Sequence, residues 1–183
     1  MVKSVKILLA MLTVSASLSA LSDNKLLEVR FHVDNLMNEL TDERKNTINL
    51  VGLSDTVHMC SMSASESAYR MSNRNNISIK RVSLRPRNIG LSTADIWEQK
   101  ALIELSKKAS KEYFSSTDEP TGKFFRYAKP LIVKEGCLTC HGSDMQIGQS
   151  VLRELKEHYP HDGARNYSVG DVIGAVSVKL KIR

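Results

Sequence analysis

Most patterns that would mark a common enzyme or a nucleic-acid binder are missing from this chain. It has no second C-x-x-C and no H-x-x-x-H, so the roughly four ligands of a structural zinc site are not collected by any sequence pattern. The formal net charge is +6, but the basic residues are dispersed with no Lys/Arg block. Dispersed charge of this kind reads as a solvated surface or a docking face for an acidic partner, and it excludes a nucleic-acid reading. Repeats, low-complexity tracts, kinase, methyl-accepting and DNA-binding modules are all absent. No acid and base are spaced for catalysis, so an enzyme reading has no constellation to rest on. Cysteine is scarce and odd in number, at three residues.

Two of those three cysteines stand in Cys137-Leu138-Thr139-Cys140-His141. Two cysteines two residues apart, with histidine directly after the second, is the spacing for covalent c-type haem attachment. Each thiol adds to one porphyrin vinyl group, which fixes the backbone under the ring so that the next imidazole meets the iron. The pattern predicts one covalently attached haem c, with Cys137 and Cys140 as thioethers and His141 as an axial ligand. A structural disulfide between Cys137 and Cys140 is the competing reading.

The other end of the chain agrees with haem attachment. Lys3 and Lys6, an apolar stretch over residues 7–14 and small residues over 15–22 read as a secretory signal peptide. It is assigned to residues 1–20, with cleavage after Ala16 or Ala20. The stretch is interrupted by serines and a threonine and falls short of the roughly 20 apolar residues that span a bilayer, so no stable membrane span is expected after cleavage. The expected location is the periplasm, where c-type haem is attached and the thiols meet an oxidising compartment. Loss of Lys3 and Lys6 lowers the charge to +4. Residues 23–183 then form a single domain, with 42% hydrophobic and 25% charged residues in the whole chain, an ordinary globular balance.

Along that domain, Leu26, Val29, Val33, Leu36, Met37 and Leu40 recur at helical spacing and predict an amphipathic helix over residues 23–42. His32 beside that face reads as a packed or surface residue. A second helix is predicted over residues 54–71, with Ser54 as its cap and Val57, Cys60 or Ser61, Ala64 and Ala68 on one face. His58, Met59, Cys60 and Met62 offer four possible iron ligands within five residues, of which at most one can face a haem. Cys60 is in register with Val57, Ala64 and Ala68, yet a buried small hydrophobe is an equally good account of it from spacing alone. A strand follows from Ile77 to Leu84, ending in Arg85-Pro86-Arg87-Asn88, because proline stops regular pairing. Arg81, Arg85 and Arg87 are the densest basic cluster; they suit haem propionates through forked hydrogen bonds, or a plain exposed loop.

After a loop over residues 90–93, residues 94–109 read as a helix carrying Ile96, Trp97, Ala101, Leu102 and Leu105 toward a core. Trp97, the single tryptophan, reads as a packing residue first and a haem neighbour second. Strands are predicted over 111–115 and 122–133, with a turn between them, then a short helix over 151–158. Tyr159-Pro160-His161-Asp162-Gly163 opens a loop, and alternation over 172–182 predicts a last strand with one buried face. This order suggests an α+β domain with an antiparallel sheet.

The segments Arg81-Val82-Ser83-Leu84-Arg85-Pro86-Arg87-Asn88, Trp97-Glu98, Pro130 to Val133, Cys137 to Gly142 and Tyr159-Pro160 through Gly170-Asp171 resemble exported c-type haem proteins with a PAS-like fold, a domain-of-unknown-function family. The resemblance spans about residues 25–183. It implies a PAS-like five-stranded antiparallel sheet flanked by helices, with a long N-terminal helix and haem on one side. In that family a cysteine on the helix before the Arg-rich strand can take the sixth iron position, and Cys60 is the matching residue. Ile89-Gly90-Leu91-Ser92 stand where the family has a proline and an asparagine. The implied function is redox or small-ligand (gas) sensing with His141 and Cys60 as axial ligands, signalling to another protein in the periplasm. The alternative is an electron-transfer cytochrome c with Met59 or Met62 as sixth ligand and a redox partner. A sensor needs a displaceable ligand or a second state, whereas a carrier needs fixed six-coordination and an exposed haem edge.

Overall fold

A computed structural model describes residues 2–75, 77–107 and 110–182, with side chains from residue 24 onward except at 60–68, 70, 71 and 73–75. The side chains of the expected signal peptide and of Cys60, Ser61, Met62, Ala64 and Ala68 therefore lie outside the described residues. In chain order the elements are α1 (Val2–Asn75), β1 (Ser78–Val82), α2 (Ile89–Ser92), α3 (Ile96–Ser106), β2 (Tyr113–Glu119), β3 (Gly122–Ile132), α4 (Leu138–His141), α5 (Gln149–His158) and β4 (Val172–Ile182). A 3-10 turn, Glu135–Cys137, leads into α4. Among the described residues no helix is long and apolar enough to cross a membrane.

The two helices expected over 23–42 and 54–71 are parts of one helical run. Residues 24–51 contain neither glycine nor proline, so nothing local stops the helix after Asp42. The break comes at Gly52, whose φ of 83° and ψ of 173° leave the helical region at a value only glycine adopts readily. Before it, Leu26, Val29, Val33 and Leu36 bury one stripe of α1 against Ile77, just ahead of β1, and the sheet residues Ile79, Tyr127, Val176 and Val178. After it, Val57 packs with Val151, Leu152 and Leu155 of α5. Gly52 thus lets α1 serve two separate cores.

The sheet is antiparallel, with strand order β1-β4-β3-β2. It has four strands, which corrects the five implied by the resemblance. Beyond Val82 the chain makes only an isolated bridge, Ser83 to Thr93, and Pro86 lacks the N–H that further pairing requires. Asn88 then caps α2 by accepting from the Leu91 N–H at 3.3 Å, so the stretch expected as a loop folds into one helical turn. β2 starts and ends later than expected because Tyr113 to Glu119 alternate in burial and pair with β3 out to Gly122.

The two sheet faces differ. The face covered by α1 is apolar near the strand centres, while the face covered by α3 carries Ala101, Leu102 and Leu105 around a buried polar knot. Asp95 caps α3 in a reciprocal box with Glu98. The Glu98 carboxylate, 1% exposed, also accepts from Ser177 Oγ at 2.7 Å and pairs with Lys80 at 3.0 Å. Trp97 lies here, donating to Ser115 Oγ at 2.9 Å and stacking under the Arg126 guanidinium. It is a packing residue remote from the attachment motif. Ile96, expected in the core, is 88% exposed at the first turn of α3.

Gly174 on β4 is a tight point in this frame, since a Cβ there would sit 2.5 Å from the Val82 carbonyl oxygen. Gly174→Ala is expected to spread β1 from β4 and to cost about 1–3 kcal/mol by overpacking. Urea unfolding checks it, and an unchanged midpoint would show that the two strands separate freely.

Candidate functional site

β3 delivers the chain to the motif, and a short ladder holds it there. The Val133 N–H donates to the Asp171 carbonyl at 2.9 Å, and the Gly170 N–H donates to the Val133 carbonyl at 2.8 Å. The 3-10 turn and α4 follow at once because Cys137 and Gly142 N–H groups close onto Lys134 and Leu138 carbonyls. The next loop, residues 159–170, wraps the motif from outside. Tyr167 and Asn166 N–H groups donate to the His141 and Gly142 carbonyls, each at 3.0 Å. Asn166 adopts a φ of 59° to do so, a left-handed conformation that asparagine tolerates.

Cys137 and Cys140 are free thiols, both half-buried. Cys137 packs with Leu138 against Val133, Ala164 and Tyr167, and Cys140 packs against the α1–α5 core. Burial pushes the Cys140 thiol up from its ordinary value, with only partial offset from the Thr139 hydroxyl and the Arg87 charge.

The imidazole of His141 is oriented by one hydrogen bond. Its Nδ1 lies 2.8 Å from the Ala164 carbonyl oxygen, which can only accept, so Nδ1 carries the proton and Nε2 keeps its lone pair. Burial, assisted by the nearby Arg87 charge, pushes the His141 pKa down to about 4. A neutral imidazole with a bare Nε2 and its other nitrogen held by a carbonyl is the form that ligates metals.

The motif forms one wall of a cleft of about 280 Å³. Cys137, Cys140 and His141 line it together with Leu131, Ile173 and Gly174 of the sheet and Arg44, Ile48, Leu53, Thr56 and Val57 of α1. Arg81, Arg85 and Arg87 all line this cleft, so the basic cluster and the motif, 50 residues apart in sequence, meet. Arg87 and Arg85 are also tied to the frame. Arg87 donates from Nε to Asp162 Oδ1 at 3.1 Å and from Nη2 to the carbonyls of Cys140 and Ala164, bracing both ends of the His141 setting. Arg85 donates from Nε to the Gly163 carbonyl at 3.0 Å and from Nη2 to that of Arg165, with its guanidinium 4.5 Å over the Tyr167 ring.

Met59 is 43% exposed and is not among the cleft residues. The side chains of Cys60 and Met62 lie outside the described residues. His32 is half-buried beside the exposed Phe31 ring on the first part of α1, away from the cleft. Sequence reasoning missed Arg44, which reaches the cleft from a stretch of α1 with no apolar stripe, and it missed Asp162 and the Ala164 carbonyl. The stretch that holds the last two was singled out as a segment, but backbone acceptors carry no sequence signal. The lining combines two thiols, an imidazole, apolar side chains and guanidinium groups, a set that can hold a flat metal-bearing group.

Comparison with known proteins bears on this geometry. No curated protein matches the chain significantly. The fold is similar to the crystal structure of the cyanobacterial haem protein Tll0287, at a TM-score of 0.62 and 21% identity, over 82% of this chain and 93% of that one. A family model described as Tll0287-like matches residues 10–181. With nearly the whole sequence inside that match, and the motif and the loop that orients it both included, the chain belongs to the Tll0287-like family.

Proposed function

We propose that this chain is an exported c-type haem protein with a PAS-like frame, holding one haem covalently through Cys137 and Cys140. In this reading His141 is the proximal ligand, Cys60 is the ligand opposite, and the protein senses redox state or a small gas in the periplasm. The observation that carries it is the Nδ1–H bond of His141 to Ala164, which leaves Nε2 bare at the wall of a cleft lined by both motif cysteines. The residues present fit the group. Two thiols and one imidazole stand on one wall, Leu131, Ile173, Leu53 and Val57 supply apolar surface for a porphyrin face, and Arg81 and Arg44 supply positive charge for its carboxylates.

Cys60 follows Thr56 and Val57 by one helical turn, and both of those line the cleft. That register supports Cys60 over Met59, which is exposed. Membership in the family of a solved haem protein supports the cofactor assignment, and the pattern at residues 1–20 supports export. When bound, haem supplies a one-electron centre and a site for diatomic ligands. The chain's own contribution is to orient His141 through Ala164 and Arg87, to exclude water with the apolar lining, and to present a ligand from α1 that can leave.

The test is expression with c-type maturation machinery, followed by absorption spectra of the oxidised and reduced protein with and without carbon monoxide. The expected result is a six-coordinate ferric spectrum and a reduced spectrum that shifts on carbon monoxide addition. A reduced spectrum indifferent to carbon monoxide means fixed coordination and moves the electron-carrier reading to first place.

A further inference from the structure

Next to the cleft, a buried carboxylate holds the residues that set His141. The Asp162 side chain is 7% exposed and does not itself line the cleft. Its Oδ1 accepts twice, from the Ala164 N–H at 2.9 Å and from Arg87 Nε at 3.1 Å. Ala164 is thereby held at both ends, because its carbonyl accepts from His141 Nδ1 at 2.8 Å and from Arg87 Nη2 at 3.3 Å. Two short paths therefore run from one carboxylate oxygen to one imidazole, through the Ala164 backbone and through the Arg87 guanidinium. The other oxygen, Asp162 Oδ2, is buried with no hydrogen-bond partner among the described residues.

We propose that Asp162 is the positioning residue of His141 and the counter-charge that balances Arg87 beside it, fixing the ring by geometry and holding the potential of the bound haem down by charge. The orphan oxygen points to charge as a second role. A neutral side chain of the same shape, such as asparagine, accepts both hydrogen bonds made at Oδ1. A carboxylate adds a buried oxygen without a partner, which costs free energy unless its charge is used. The use at hand is Arg87, a cleft residue that shares the Ala164 carbonyl with His141. With Asp162 neutral, Arg87 is an uncompensated cation close to the iron ligand, and a cation there favours ferrous iron over the more positive ferric state. Partners behind an axial ligand tune a metal in this way, through ring orientation and through charge. Positioning involves this chain alone, whereas charge balance rests on the proposed haem.

Redox titration of the matured protein, of Asp162→Asn, of Arg87→Gln and of the double variant tests the charge balance. Asp162→Asn should shift the equilibrium about tenfold toward ferrous iron, a rise of about 59 mV for one electron. Arg87→Gln should shift it the opposite way, and the double variant should return to within about threefold of the parent. Loosened packing would move both single variants in the same direction. An unshifted Asp162→Asn, or single variants that shift alike, overturns the charge balance. All of these proteins should stain for haem on denaturing gels, since thioethers do not depend on Asp162. Positioning is tested on the full chain made without haem, as Cys137→Ser plus Cys140→Ser, by nitrogen NMR of its histidines at neutral pH, with His141→Gln identifying the signal. A single tautomer with the proton on Nδ1 is expected, kept in Asp162→Asn and mixed with the Nε2–H form in Asp162→Ala. A pure Nδ1–H signal in Asp162→Ala overturns the positioning role. A parent without haem stain ends the haem reading and the charge balance with it, while the tautomer measurement still decides positioning.

Discussion

Replacement of Cys137 and Cys140 together by alanine is expected to abolish haem staining on a denaturing gel while leaving the protein band in place. The loss should be complete, because a thioether is the only bond that survives denaturation and His141 releases iron once the fold is gone. The substitutions themselves are mild. Both thiols are half-buried at the margins of their clusters, so truncation to alanine costs on the order of 1 kcal/mol each, too little to unfold a domain of this size. Each single variant should keep a stained band through its remaining thioether, weaker than in the parent. A parent protein, made with the maturation machinery and correctly processed, that carries no stain would remove the covalent assignment and return the pair to the disulfide reading.

Cys60→Ser is expected to lack the low-spin ferric signal expected of the parent in electron paramagnetic resonance and to have a higher midpoint potential. A thiolate stabilises the ferric state by its charge, and the metal in turn holds the thiol deprotonated at neutral pH. A serine hydroxyl is a poor substitute for it. Axial ligands set haem potentials over ~0.8 V, so a rise on the order of 0.1 V is a modest share of that range. Met59→Leu serves as the comparison. Its side chain is 43% exposed, and its loss should leave both signal and potential unchanged. Survival of the low-spin signal in Cys60→Ser with its disappearance in Met59→Leu would reverse the assignment, since a neutral thioether raises the potential and suits a carrier.

The two predictions rest on different kinds of information. Cys137, Cys140 and His141 fall within five residues, so the pattern that predicts haem attachment is local and legible in the sequence. Cys60 is legible only as one of four candidates, because helical periodicity assigns a residue to a face without saying what the face meets. Thr56 and Val57, one turn before Cys60, line the cleft, and Met59 does not. Strand positions were also readable, as alternation from Val172 to Ile182 and the run into β3 reflect period-two burial that is local. The continuity of α1 was not read, since the polar stretch after Asp42 loses its apolar stripe while keeping good helix formers.

By itself, the sequence determined the Cys137–His141 pattern, the α+β class, the amphipathic first part of α1, and three of the four strands nearly to their ends. These depend on periodicity and on covalent spacing, which act over a few residues. Only the tertiary structure decided that the sheet has four strands, that α1 turns at Gly52 to serve two cores, and that Arg81, Arg85 and Arg87 meet the motif. It alone decided the form of His141, because the Ala164 carbonyl that accepts its proton lies 23 residues away in sequence and 2.8 Å away in space. The physical reason is the same in each case. Backbone acceptors, glycine dihedrals and the meeting of distant segments are set by chain closure and packing, and none of these has a residue type that announces it.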